Sequence, residues 1–175
     1  FLPPEATQLY PDGPDSVIAT GPLSDDNEEM VRSFTHWISG HLAPRFRISE
    51  ASVCDALQLG VTSEELIERV QRFIPSGMGN TIAEMVADTI DQAPSLSVSA
   101  DGATTLVRSS HPLRLSLILA DRRLSEASFS DSHEGLTSPL SPERIHELLL
   151  AEGYPHLVTT ESGDLVVPPK AQAGH

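Results

Sequence analysis

The spacing of apolar and polar positions near the start of the chain predicts a short strand followed by a helix. The strand covers residues 16–20, and a Gly-Pro pair follows it directly. Ser24 is a good N-cap for a helix that runs to Gly40, and Trp37 and Ile38 fall in its apolar stripe. We therefore expect both residues to lie on one helical face.

Three more helices are predicted after a short extended step at residues 46–48. Their N-caps, in chain order, are Ser49, Thr62 and Thr81. Thr62 and Thr81 each have a glutamate three residues later, which is the spacing of a capping box. Gly60 and Pro75 provide the expected stops after the first two of these helices.

The rest of the chain alternates short strands with two helices. Residues 96–98 and 104–108 read as a hairpin around the turn signal Asp101-Gly102. The later elements are a leucine-rich helix from Pro112 to Ala120, a polar loop with a possible strand at 128–138, a helix from Ser141 to Gly153, and strands at 154–160 and 165–167.

The order of strand, three helices and hairpin is that of a winged helix. The predicted fold class is α+β and helix-dominated, with a central winged-helix-like unit and a small C-terminal α/β unit. The predicted boundaries are an arm or linker at 1–15, a strand-helix plus winged-helix-like unit at 16–108, an α/β unit packed on it at 109–167, and a frayed tail at 168–175. Because the chain begins at Phe1 without a methionine, we expect it to be cut from a longer polypeptide.

Composition and charge narrow the class of protein. Apolar residues make up 39% of the chain and aromatic residues 5%, which is compatible with a core of Leu, Ile, Val and Ala. The single cysteine, Cys54, cannot form an intrachain disulfide, and we expect it to be a small buried hydrophobe. No apolar run approaches the roughly 18 residues of a membrane span. We therefore expect a soluble protein of a reducing, cytoplasmic compartment.

The charge balance disfavours duplex DNA as a ligand. The chain has 25 acidic and 11 basic residues, for a net charge of −14. The helix predicted at 81–91, which would enter the major groove, carries Glu84, Asp88 and Asp91 and no cation. These residues favour a protein-docking surface. The alternative is a nucleic-acid-binding module with an arginine patch made of Arg45, Arg47, Arg122 and Arg123.

No motif for nucleotide or metal chemistry is present in the sequence. The only G-x-G is Gly77-Met78-Gly79, no G-K-S/T occurs, and an interhelix loop explains the glycines. His36 and His41, with Cys54 and Asp55 further along, lack the spacing of a zinc site. We expect His36 to be a surface residue, and we expect no metal and no cofactor.

A third hypothesis is a small hydrolase centred on His133. Ser128, Ser130 and Ser132 lie close to it in the sequence, but residues this close in a loop rarely converge. The G-x-S-x-G nucleophile elbow is absent as well. We expect no catalytic residues in this chain.

The order of several local patterns is similar to one helicase-associated family. The patterns are Ala56-Leu57 before Gly60, Val61-Thr62 before Glu64-Glu65-Leu66, the segment 75–88, Leu106-Val107-Arg108-Ser109 leading to Pro112, Ser138-Pro139-Leu140 with Pro142, and Ala151-Glu152-Gly153-Tyr154-Pro155. Together they span residues 9–167 and resemble the N-terminal domain of XPB-type helicases and the related helicase-regulating subunit of transcription and repair factor H. Thr89 and His111 depart from the family pattern, which often has an aromatic and an acidic residue at these positions.

The resemblance implies a non-catalytic domain of a bacterial, actinobacterial-like protein. Such a domain would dock to or regulate a helicase motor, in cis or in trans, during DNA repair or transcription. The resemblance carries no catalytic residue over to this chain.

Overall fold

The computed structural model describes residues 4–75 and 80–166, and these form a mixed α/β protein with two β-sheets. The chain divides into two compact units, residues 1–90 and 91–175. The helices are α1 Asp25–Arg32, α2 Glu50–Gln58, α3 Ser63–Phe73, α4 Asn80–Gln92, α5 Pro112–Ala120 and α6 Pro142–Ala151. Within the described ranges, no helix has both the length and the apolar character needed to cross a bilayer.

The first sheet is antiparallel and lies in the first unit. Its strands are β1 Leu9–Pro11, β2 Ser16–Ala19, β3 His36–Ser39 and β4 Arg45–Arg47, in the spatial order β1-β2-β4-β3. Val17 of β2 is paired with Phe46 of β4, and Leu9 of β1 with Ala19 of β2; all four are buried. The strand β1 lies inside the segment that the sequence analysis treats as an arm.

The predicted helix from Ser24 to Gly40 is wrong in its second half. The helix α1 ends at Arg32, where Ser33 is the C-cap, and the Thr35 hydroxyl donates to the Val31 carbonyl at 2.7 Å. The residues that follow are mostly aromatic or β-branched, a composition that favours a strand, and they pair with β4. Trp37 and Ile38 therefore lie on an edge strand and are 42% and 36% exposed.

The capping signals of the next two helices are confirmed. Ser49 caps α2 in a reciprocal capping box with Ser52, and Thr62 caps α3 in the same way with Glu65. The predicted cap at Thr81 is wrong, because α4 already has helical geometry at Asn80. Residues 76–79, which precede α4, lie outside the described residues.

The second sheet belongs to the second unit. Its strands are β5 Leu96–Asp101, β6 Thr104–Ser109, β7 Ser130–Asp131, β8 Leu136–Ser138 and β9 Leu157–Thr159, in the order β7-β8-β6-β5-β9. The predicted hairpin is confirmed as β5 and β6, whereas β9 pairs with β5 in parallel. Val98, Val107 and Leu136 form one row across this sheet, and Ile118 of α5 and Leu149 of α6 belong to the same buried cluster.

The predicted C-terminal helix is confirmed as α6, and the strands that follow it are shorter than predicted. The Ser141 hydroxyl accepts from the Arg144 amide at 3.2 Å and caps α6. Leu165 forms an isolated bridge with Thr159, where the sequence predicts a strand at 165–167. The tail at 168–175 lies outside the described residues. The winged-helix interpretation combines α2, α3 and α4 with the hairpin of the second unit, and it stays a prediction.

Candidate functional site

The solvent-facing side of α4 carries only negative charge. Glu84, Asp88 and Asp91 are all exposed, and no lysine or arginine occurs between Asn80 and Gln92. A phosphate backbone brought against this side would meet carboxylates with no compensating cation. The helix that a winged helix would insert into DNA is therefore electrostatically unsuited to that role.

The first pair of the predicted arginine patch lies on β4 and is engaged by carboxylates. Arg45 forms an ion pair with Asp12 at 2.8 Å, and Arg47 forms one with Asp15 at 3.4 Å. Both pairs are about half exposed, and a ligand phosphate would have to compete with the carboxylate for each guanidinium. Neither arginine is an open phosphate site.

The second pair lies in the second unit, in a 3-10 segment that follows α5. Arg123 donates to Asp121 through Nε at 3.0 Å and Nη2 at 2.8 Å, and its Nη1 lies 3.1 Å from Glu152. The hydrogen bonds from Arg123, followed by one from Tyr154, hold the pKa of Asp121 well below its usual range. Arg122 is exposed, and in the part of the chain that the structure describes it has no ion-pair partner.

A histidine pair that the sequence analysis did not single out lies next to this network. The Nδ1 atom of His146 and the Nε2 atom of His156 are 2.8 Å apart, and His156 Nδ1 lies 2.8 Å from the Tyr154 carbonyl oxygen. Because a carbonyl only accepts, His156 donates from Nδ1 and receives the His146 proton at Nε2. Burial is the main cause that lowers the pKa of His156 to about 4, so its ring is neutral at pH 7.

Hydrogen bonds of Tyr154 and His156 hold the segment that follows α6 in place, so the two histidines have a structural role. The Tyr154 hydroxyl donates to Asp121 at 2.8 Å, so the segment after α6 is tied to the segment after α5. The sequence contains no spacing signal for this arrangement, because its members come from three separate segments.

The hypothesis of a hydrolase at His133 has no support in the geometry. The Ser132 hydroxyl donates to the Gly135 carbonyl at 2.9 Å, inside its own turn. Ser128 has a left-handed backbone with φ of 49° at the end of the 3-10 segment. Within residues 80–166, no hydrogen bond connects the His133 ring with Ser128, Ser130 or Ser132.

The structure does not assemble the candidate metal ligands into a site. His36 is exposed as expected, although on a strand, and its Nε2 atom lies 2.8 Å from Asp55 Oδ2. Cys54 is confirmed as buried, with 2% exposure. Among the described residues, no group of three or more His, Cys, Asp or Glu side chains could hold a metal ion. Gly77-Met78-Gly79 falls outside those residues.

One exposed apolar surface lies on the edge of the first sheet. The Trp37 indole donates to the Gly40 carbonyl at 3.0 Å and stacks on His41 with ring centroids 5.8 Å apart. The Arg32 guanidinium lies 5.7 Å from the indole centroid. Leu42 is also exposed. An edge strand with apolar side chains is a common site for contact with another chain.

A second apolar surface lies on α5, which is apolar around most of its circumference. Leu113, Leu117 and Leu119 are 80%, 62% and 43% exposed, whereas Ile118 faces the core. A helix that is apolar on all sides is normally covered on all sides. Next to Leu119 runs a groove of about 230 Å³, lined by Pro112, Leu115, Ser116, Leu119, Asp131 and Leu136. This surface was not predicted from the sequence, although the leucines around α5 were the available signal.

Comparison with known families identifies the class of protein to which these surfaces belong. The sequence model of the helicase conserved C-terminal domain matches residues 9–132, from β1 in the first unit to just past β7 in the second. The chain therefore belongs to the helicase conserved C-terminal domain family, and its role is helicase-associated. No curated protein matches the chain.

Proposed function

We propose that this chain is a non-catalytic interaction domain that docks to or regulates a helicase motor in DNA repair or transcription. Membership of the helicase C-terminal domain family supports the association with a helicase. The observation that carries the docking role is the surface of α5, where Leu113 and Leu117 are 80% and 62% exposed. Large apolar side chains exposed together are typical of a surface that contacts another protein.

The finer parts of this proposal rest on the sequence. The resemblance to XPB-type helicases favours a domain of a bacterial, cytoplasmic protein with a winged-helix-like unit. The titratable side chains also favour an accessory role, because Asp121 and His156, whose pKa values are both lowered, are held by structural partners. The domain then contributes neither a catalytic base nor a cofactor site to its helicase.

The proposal makes duplex DNA a poor direct ligand of this domain. The acidic side of α4 and the net charge of −14 both repel phosphate. The alternative function is a nucleic-acid-binding module that uses Arg45, Arg47, Arg122 and Arg123. One observation favours it, since Arg122 is exposed without an ion-pair partner in the described part of the chain. The carboxylates beside the other three arginines weigh against it.

The experiment that tests the proposal has two steps. The full chain is first used to capture proteins from native lysate, and a captured helicase is then purified and its ATPase rate measured with and without the chain. The double variant Leu113→Ser/Leu117→Ser removes the α5 leucines, and Leu59→Ser changes another exposed leucine, which is 56% exposed in the first unit.

We expect wild type and Leu59→Ser to alter the helicase ATPase rate and the double variant to have lost this effect. A captured helicase that is indifferent to the chain contradicts the proposal, and so does the absence of any helicase among the captured proteins. ATP hydrolysis by the chain alone contradicts its accessory role.

A further inference from the structure

The groove beside α5 combines an apolar floor with one carboxylate. Four of its lining residues lie at i, i+3, i+4 and i+7 of α5, which places them on one side of the helix. Leu136 of β8 and Asp131 of β7 form the opposite side. Leu113 and Leu117, one helical turn apart, are exposed on another side of α5 and do not line the groove.

Asp131 is the charged group of this groove and is available to a ligand. Its side chain is exposed, and no arginine or lysine among residues 80–166 forms an ion pair with it. Arg108 lies on β6 of the same sheet but pairs with Glu134 at 3.7 Å. The whole chain carries a net charge of −14, so its electrostatic field also favours a cationic ligand.

The shape of the groove favours a helix over a strand as the bound partner segment. Asp131 belongs to β7, which is an edge of the second sheet but contains only two residues. A strand added to so short an edge gains few main-chain hydrogen bonds. The side of α5, in contrast, presents a ridge of side chains at helical spacing against which a second helix can pack.

We infer that the α5 groove accepts an amphipathic helix of a partner protein, with leucine-type side chains against Leu115 and Leu119 and a lysine or arginine directed at Asp131. This inference deepens the docking role and rests on the proposed function. Charge disfavours a second copy of this chain as the occupant, because that copy would bring the same negative field to the interface.

The test uses two fluorescein-labelled peptides of about 20 residues with the same leucine positions, one with lysines and one with glutamates beside the leucine stripe. Anisotropy titrations with the full 175-residue chain give the two affinities. We expect the lysine peptide to bind at least about tenfold more tightly than the glutamate peptide. Leu119→Ser, which changes the exposed leucine of the groove, should weaken binding of the lysine peptide by at least about tenfold.

The acidic group is tested by a matched pair of variants. Asp131→Asn should weaken binding of the lysine peptide about threefold and should not weaken binding of the glutamate peptide. Asp101→Asn removes an exposed carboxylate from the hairpin and should change neither affinity. Equal affinity for both peptides, or equal effects of the two carboxylate variants, overturns the inference. A dimer in sedimentation that Leu119→Ser abolishes also overturns it, because the occupant of the groove is then a second copy.

The peptide test and the helicase test fail separately. Specific binding of the lysine peptide with no effect of the chain on a helicase leaves the groove assignment standing and removes the proposed function. A helicase that responds to the chain through the α5 leucines, with no preference for the lysine peptide, retains the function and removes the assignment of a basic helix.

Discussion

Lowering the pH from 7 to 5 should destabilise the second unit through one residue, His156. The ring is 1% exposed and its two nitrogens are both engaged, one with His146 and one with the Tyr154 carbonyl. Protonation of Nε2 would place a second donor against the His146 proton inside a buried site. Burial therefore holds the pKa of His156 at about 4, below the ordinary histidine value of 6.5.

The sign and size of the effect follow from proton linkage. Between pH 6.5 and pH 4 the unfolded chain binds a proton at this residue and the folded chain does not, so the free energy of unfolding falls as the pH falls. The stability is fully present above about pH 6.5 and is lost progressively toward pH 4. For a pKa of about 4, the loss between pH 7 and pH 5 is about 2 kcal/mol.

The assay is urea unfolding at pH 7, 6 and 5, followed through the methyl NMR signals of Val98 and Leu149. Both residues belong to the buried cluster of the second unit, so their signals report on the unit that contains His156. His156→Gln keeps a donor and an acceptor but has no group that titrates in this range, and we expect its stability to be nearly independent of pH there. His133→Gln changes an exposed histidine and should behave as the wild type.

Two results would refute this reasoning. One is a wild-type unfolding free energy that stays constant between pH 7 and pH 5. The other is a His156→Gln variant that retains the full wild-type dependence, because another group would then carry it.

Two further pairs of substitutions test the packing of the two units. Phe46→Ala removes a fully buried ring from the first sheet and should cost about 3–5 kcal/mol, whereas Leu42→Ala, at a residue that is 54% exposed, should cost less than about 0.5 kcal/mol; urea unfolding followed by Trp37 fluorescence compares them. Gly135→Ala places a Cβ 2.2 Å from the Val107 carbonyl oxygen and should destabilise the second unit by about 2 kcal/mol more than Gly163→Ala, which meets nothing within 4 Å. Urea unfolding measures both variants. An equal loss of unfolding free energy at the two glycines would contradict the prediction that the Cβ at position 135 clashes with the Val107 carbonyl.

Local signals in the sequence were sufficient for the elements that begin with a polar cap or contain a tight turn. The helices α2 and α3 start after Ser49 and Thr62 because each hydroxyl accepts from an otherwise unpaired amide three residues later. The hairpin was predictable for a similar reason, since Gly102 takes a positive φ of 63° in its turn. These features depend on residues close together in the chain.

The errors arose where tertiary pairing decided the structure. The apolar spacing through Trp37 and Ile38 fits a helix, but pairing with β4 draws this segment into the sheet. The parallel pairing of β5 with β9 also joins segments far apart in the sequence.

Most of the candidate site was equally difficult to predict from the sequence. The exposure of the α5 leucines depends on which side of the helix the rest of the fold covers. His146 of α6 contacts His156 only because the chain reverses direction after α6. The acidic character of α4, in contrast, was visible in the sequence, and its carboxylates Glu84, Asp88 and Asp91 are exposed in the structure.

The central claim is that the negative surface of this domain leaves it free for protein partners by keeping duplex DNA away. Its most direct test is the anisotropy of a labelled DNA duplex titrated with the full chain at about 50 and about 200 mM salt. We predict no binding at micromolar protein at either salt concentration, and weak binding at the lower one only for the charge-reversed variant Glu84→Lys/Asp88→Lys. Nanomolar affinity of the wild-type chain with a steep salt dependence, abolished when Arg45, Arg47, Arg122 and Arg123 are replaced by alanine, would contradict the claim.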